Sequence, residues 1–295
     1  MPDPRQAYVA RIHRVTDHID SHLGQPLDLA VLASVANFSA WHFHRVFHAI
    51  TGETLADRVR RRRLEVAAAR LQRVPPEPVL AIALEVGFGS AAVFSRAFRA
   101  HFGVTPTAWR RGAFRDWAER RRDQLGAIHQ AARRVDPPPK VELKRLPAVR
   151  VACLRHVGPY GTPGIVRTWQ RFAAWCEQQG LTQPPRPMYG MAHDNADVTP
   201  PAQCRYDACI EVDEGFRPAG EIGVHRWRGG LHACTAFHGT SAEIHGAWVG
   251  LVDWLPDSGY QPDDAPPIEI YPGDFSIDSE SGAIACQLCM PVRPL

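Results

Sequence analysis

Two internal repeats and a charge divide predict a multidomain chain: an all-α domain of tandem helix-turn-helix units, followed by an α+β domain of two β-α-β-β modules. In the first half, Ser39, Phe43, Arg45, Phe47 and Gly52 recur 51 residues later as Ser90, Phe94, Arg96, Phe98 and Gly103. In the second half, Ala152-Cys153 and Gly158 recur 81 residues later as Ala233-Cys234 and Gly239. Trp169, Trp175 and Gly180 recur 79 residues later as Trp248, Trp254 and Gly259. The net charge of +3 hides an asymmetry: residues 1–135 hold 21 Arg and no Lys against 12 acidic residues, whereas residues 136–295 hold 13 basic against 19 acidic ones. All seven cysteines lie in the acidic half. A basic half beside an acidic, cysteine-bearing half points to a nucleic-acid module joined to something else.

The first elements follow from helical periodicity. Ile12, Val15, Ile19 and Leu23 predict an amphipathic helix over 7–23. Asp28 stands where it can cap a short helix from Leu29 to Ala36, and Asn37-Phe38 makes a tight turn. Ser39 then caps a second helix running to Gly52, with Phe43, Val46, Phe47 and Ile50 on its inner face. Trp41, His44, Arg45 and His48 share the outer face, which shows a guanidinium and hydrogen-bonding groups as a major-groove reading helix does.

A long helix is expected over 55–74, with the run Arg60-Arg61-Arg62-Arg63 on a solvated face or touching phosphates. Pro75-Pro76-Glu77-Pro78 ends it and opens the second unit. That unit's outer face carries Ser95, Arg96 and Arg99, but its helix starts with Ala91-Ala92-Val93, which offers a thymine methyl contact and little else. Direct base readout is therefore expected mainly from Trp41, His44 and Arg45.

The segments PLDLAVLA, FSAWHFHRVFHAITGE, RRRLEVAAARL, IALEVGFGS, FSRAFRAHFG and TPTAWR, in this order and spacing, resemble the AraC-type DNA-binding domain over about 105 residues. The resemblance implies that both recognition helices enter successive major-groove segments of double-stranded DNA, and that RNA polymerase is a partner. It places this domain at residues 1–112. A helical and proline-rich linker, ending in Pro137-Pro138-Pro139, is expected over 113–139.

In residues 140–295 each module reads as a strand, a Gly-containing turn, a Trp-bearing helix ending at Gly, and two more strands. PMYGMAH and RYDACIEV close the first copy, and PPIEIYP and AIACQLCMPV the second. A crevice is expected between the modules. In Ile268-Glu269-Ile270-Tyr271, alternation places the isoleucines on one face and Glu269 and Tyr271 on the other. If the isoleucines pack on the helices, Glu269 faces the crevice, with Tyr189 and Met191 at the matching positions of the first module. A carboxylate ringed by aromatics suits a desolvated organic cation. Glu211 is the second candidate acid, and the four repeated tryptophans are read as helix core.

The segments RVACLRHVGPY, CRYDACIEV and IEIYPGD are similar to the GyrI-like effector-binding domain over about 150 residues. The resemblance implies a small-molecule effector, often a lipophilic cation, with Glu269 as the ligand-binding carboxylate. Together the two resemblances imply a sequence-specific transcription regulator. The alternatives are a GyrI-like hydrolase fused to a DNA-binding domain, and a C-terminal domain that serves only as a protein-contact surface.

No G-x-S-x-G, H-E-x-x-H or phosphate-loop pattern occurs, so an enzyme is not expected. No metal or other cofactor is expected either. His44 and His48 lack a third ligand, and Cys286 and Cys289, three apart in a strand, point to opposite faces. An odd cysteine count, no secretory leader in MPDPRQ and no apolar run of membrane-spanning length predict a cytoplasmic, nucleoid-associated protein with reduced thiols.

Overall fold

A computed structural model describes residues 4–125, 139–161, 163–273 and 283–295. The chain divides into two compact units, Met1–Arg120 and Arg121–Leu295. Residues 126–138 of the expected linker lie outside the described residues.

The first unit is helical throughout. Helix α1 (Pro4–Ser21) buries Ile12, Val15 and Ile19 against α2 (Leu29–Val35) and α3 (Ala40–Thr51), where Leu32, Ala33, Phe43 and Phe47 meet them. Ser39 caps α3 by accepting from the His42 amide, and Gly52 ends it in the left-handed region. The second helix-turn-helix of this unit repeats the pattern with α5 (Val79–Glu85) and α6 (Ala91–Phe102), with Ser90 capping and Gly103 terminating α6. A short helix α7 (Pro106–Ala108) leads through a kink at Gly112 into α8 (Phe114–Leu125). The rings of Phe98, Phe102 and Trp109 pack tilted or edge-on at centroid distances of 4.6–5.5 Å, and the Trp109 indole donates to the Ala68 carbonyl at 3.0 Å. This ties the chain's return to α4 (Leu55–Arg70), which contacts α3, α5 and α6 and so joins the two repeats.

The arginine run of α4 does not form the expected solvated face. Arg61 and Arg62 are buried. Arg61 binds Glu53 at 2.8 Å and Glu65 at 2.9 Å, while Arg62 binds Glu65 at 2.6 Å and Asp20 at 3.0 Å. Arg63 donates to the carbonyls of Leu23 and Gln25. Of the four, Arg60 alone is largely exposed, and it pairs with Asp57. Acids at Glu53 and Glu65 turn the inner face of this helix into an ion-pair network that leaves one arginine of the run facing water.

In the second unit the described strands form one antiparallel sheet in the order β1-β6-β9-β8-β3-β4-β2-β5, with β7 beside β9. The strands are β1 (Glu142–Leu146), β2 (Val149–Val157), β3 (Met188–Ala192), β4 (Arg205–Glu211), β5 (Gly223–Trp227), β6 (Gly230–Thr240), β7 (Tyr260–Pro262), β8 (Ile268–Tyr271) and β9 (Ala283–Pro294). The modules are β2-α9-β3-β4 and β6-α10-β8-β9, with α9 at Pro163–Gln178 and α10 at Ile244–Trp254. They meet at the β3–β8 pair, and each module's outer edge takes the strand that precedes the other module. The connections from β1 to β2 and from β5 to β6 therefore run close together. Gly229, at φ 66, passes so near the first connection that a Cβ there would lie 2.4 Å from the Leu146 carbonyl oxygen.

The sheet has two unlike faces. On one, Ala152, Leu154, Ala208 and Ile210 pack under Phe172 and Cys176 of α9, and Ala233, Leu288 and Met290 pack with Leu251 of α10. The other buries Val151, Cys153, Tyr189, Met191, Cys209, Cys234, Ile268 and Cys289. Cys286 and Cys289 fall on opposite faces, as strand alternation requires.

Candidate functional site

Helix α3 presents a polar surface that its buried phenylalanines hold in place. Trp41 is 74% exposed, and His44, Arg45 and His48 are exposed beside it. The Arg45 guanidinium stands 5.2 Å from the Trp41 ring centroid. This cation–π contact couples two side chains one helical turn apart on the exposed face. On α6, Arg96 and Arg99 are exposed and Ser95 is half-buried. Val93 is exposed at the head of α6, so this surface is more apolar than that of α3.

The second constellation lies on the helix side of the sheet. Glu269 is 9% exposed. The Tyr206 hydroxyl donates to its Oε2 at 2.5 Å and the Tyr271 hydroxyl donates to the same oxygen at 2.9 Å. The Trp248 indole of α10 donates to Oε1 at 3.5 Å, and the Trp169 indole of α9 donates to the Tyr206 hydroxyl at 3.1 Å. One carboxyl is thus held by two strands and covered by one tryptophan from each pseudo-symmetric helix. Among the described residues no ion pair reaches Glu269. Burial pushes its carboxyl above the ordinary value, and the donors from Tyr206, Tyr271 and Trp248 only partly oppose that. The tyrosines are pushed well up, first by their own burial and then by the adjacent carboxylate.

Two corrections to the sequence reading follow from this geometry. Ile268 and Ile270 turn away from the helices, so Glu269 faces α9 and α10 directly. Tyr189 and Met191 pair with Ile270 and Ile268 in register and share their face, so they lie across the sheet from Glu269. Glu211 is exposed and also on the far side, two residues along the strand from Cys209. Tyr271 is placed beside Glu269 as expected.

Sequence reasoning missed Tyr206, Trp169 and Trp248, the last two having been read as helix core. Trp175 does behave as core, stacking on Phe172 at 5.6 Å. A signal for Tyr206 was present: Gly190 pairs with both Ala208 and Glu269, leaving a gap between the flanking strands. A Cβ at Gly190 would lie 2.0 Å from the Tyr206 hydroxyl and 2.4 Å from Glu269 Oε2. Gly190→Ala should therefore force this pair apart and cost about 1–3 kcal/mol, the usual range for overpacking. Urea denaturation checks the loss, and a variant as stable as wild type would contradict the close approach.

The raised Glu269 carboxyl also has a pH signature. The folded state holds this proton more tightly than the unfolded chain, so stability from this group is full below the ordinary value of 4.5 and falls as pH rises through the folded value. Glu269→Gln lacks that loss. The stability of the variant relative to wild type should rise between pH 4 and pH 7, read from paired thermal melts; a difference that stays flat with pH would mean that the carboxyl is not perturbed.

The comparisons with known proteins match both halves. The GyrI-like small molecule binding domain matches residues 139–293, and a helix-turn-helix domain matches residues 32–112. Regulatory protein SoxS of Escherichia coli (strain K12) is 41% identical over 92 residues, covering 31% of this chain and 85% of SoxS. Transcriptional regulator Rob of Salmonella typhimurium is 39% identical over 100 residues, 34% of each chain. Among solved structures, the EcmrR C-terminal domain aligns with 17% identity and a TM-score of 0.43, covering 53% of this chain and 99% of that one. With a helix-turn-helix domain in its basic half and a GyrI-like domain in its acidic half, the chain belongs to the AraC-type DNA-binding transcription regulators that carry a GyrI-like small molecule binding domain.

Proposed function

We propose that the small molecule is an organic cation taken up between α9 and α10, with Glu269 as its counter-charge. The observation that supports this is a buried carboxyl with hydrogen-bond donors on both oxygens and no cation paired to it among the described residues. Ionised burial without a counter-charge is costly, and a cation removes that cost. The rings of Trp169, Trp248, Tyr206 and Tyr271 supply faces to a delocalised or alkylated cation. The carboxyl is read as a binding group, because two tyrosine hydroxyls share one of its oxygens and the Trp248 indole meets the other. A thermal-shift screen of the full chain tests the class. Aromatic or quaternary cations should raise the melting temperature, and neutral molecules of the same shape should not; equal shifts from both would refute the cation assignment.

On the DNA side, Trp41, His44 and Arg45 read base edges, while Ser95, Arg96 and Arg99 of α6 act mainly on the backbone. Arg45→Ala should then relax specificity at one or two base pairs, at about 1–3 kcal/mol if the guanidinium is bidentate to guanine. Arg96→Ala should weaken all sequences alike and flatten the salt dependence. Competition binding against single-position operator variants measures both. Equal loss of discrimination in the two variants would overturn the asymmetry. RNA polymerase is the partner through which such a regulator acts, and the cytoplasm is the compartment this reading requires. Among the described residues no helix is long and apolar enough to cross a membrane.

A further inference from the structure

The sheet face opposite Glu269 carries a duplicated pair of thiols. Cys153 of β2 stands directly across from Cys209 of β4, and Cys234 of β6 stands directly across from Cys289 of β9. All four are buried in one cluster. The pseudo-symmetry extends to the edge strands. Gly223 of β5 pairs with Cys153 as Glu142 of β1 pairs with Cys234, so His225 and Lys144, each two residues further on, occupy equivalent places. One thiol pair therefore has an imidazole beside it, and the other has an ammonium.

That difference separates a ligand set from a plain thiol pair. His225 Nδ1 lies 3.4 Å from Cys153 Sγ, and the donor atoms of Cys153, Cys209 and His225 all lie within 4.8 Å of one another. A Cβ at position 223 would lie 3.3 Å from the Cys153 sulfur, a tight contact, so the glycine is what leaves that sulfur uncrowded. Behind the imidazole, Asp207 is gripped by Arg155 through two bonds of 2.7 Å and by His193 Nε2 at 2.7 Å. Those bonds occupy the carboxylate and leave the two sulfurs and His225 as donors. Two thiolates and an imidazole are a soft-to-borderline set suited to zinc. Tetrahedral zinc bonds of about 2.0–2.3 Å put neighbouring donors under 4 Å apart, so the set needs to contract by only about 1 Å.

We propose that Cys153, Cys209 and His225 form a site for a thiophilic divalent cation of the zinc class, which ties edge strand β5 to β2 and β4. The three donors come from three strands, so no spacing motif along the chain announces them. The site is distinct from the Glu269 cluster on the other face, and it stands or falls separately from the organic-cation reading.

The test uses the reduced full-length chain titrated with Co2+, followed by displacement with Zn2+ against a chromophoric chelator. Wild type should take up one equivalent with a thiolate-to-cobalt charge-transfer band and tetrahedral visible bands, and zinc should raise its melting temperature. Cys153→Ser, Cys209→Ser and His225→Gln should each lose the bands or lower zinc affinity by about 100-fold or more, as expected for loss of a ligand. Cys234→Ser and Cys289→Ser, equally buried but lacking an imidazole, should keep both and serve as controls for the cost of substitution. His225 sits on the edge strand, so its variant reports even if the buried serine variants fold poorly. The proposal is overturned if wild type shows no thiolate–cobalt band, if the bands survive in His225→Gln and Cys153→Ser, or if Cys234→Ser abolishes them equally.

Discussion

Glu65→Ala is expected to destabilise the helical unit by about 3–5 kcal/mol, the range for removing one partner of a buried ion pair. Glu65 is 3% exposed and accepts from Arg61 at 2.9 Å and from Arg62 at 2.6 Å. Truncation leaves two guanidiniums in a dry interior with Glu53 and Asp20 as their remaining acceptors. Because α4 contacts α3, α5 and α6, the loss should reach both helix-turn-helix units and lower DNA affinity as well. Urea titration of the full chain measures it, following the transition of the helical unit separately from that of the sheet unit. A loss under about 1 kcal/mol, the value for a surface pair, would show that water screens the network. Replacing Glu65 and Arg61 together by leucine and methionine should recover part of the stability, since one of the two stranded guanidiniums is removed while Arg62 keeps Asp20 and Glu53 keeps Arg58.

The second large effect concerns the ligand. Glu269→Gln should weaken a cationic ligand by about 1.5–3 kcal/mol, the range for hydrogen bonds and close pairs involving a charged group. That corresponds to roughly a 10- to 150-fold loss of affinity. The variant keeps the side chain's shape and one acceptor for the Tyr206 and Tyr271 hydroxyls, so a neutral ligand of the same size should bind almost as before. Isothermal titration with a matched cationic and neutral pair separates the two terms. If the cation binds the variant as tightly as wild type, the charge of Glu269 has no part in recognition.

The sequence showed the helical half more fully than the sheet half, for a physical reason. Capping serines, buried phenylalanines at i and i+4 and terminal glycines are local devices, and each of them recurs in the second unit. Periodicity failed at Arg61 and Arg62 because it treats charge as outward-facing. Here Glu53 and Glu65 neutralise an inward-facing pair. In the sheet, alternation placed Glu269 and Tyr271 on a common face but could not say which face the helices would take. The tryptophans were misread for that reason, whereas Tyr189 and Met191 were displaced by a one-residue slip: they pair with Ile270 and Ile268, and Gly190 is the residue opposite Glu269. Trp169 and Trp248 reach the site from helices 79 residues apart in sequence, which only the closed tertiary structure reveals.

Selection of bound duplexes from a random pool by the full-length chain tests most directly that it reads DNA through unlike helices. The account predicts a motif with one strongly enriched block, read by Trp41, His44 and Arg45. About one helical turn away, a weaker block should reflect α6 and its apolar start at Ala91-Ala92-Val93. A pool that emerges unenriched at moderate salt, or two blocks of equal information, would contradict it.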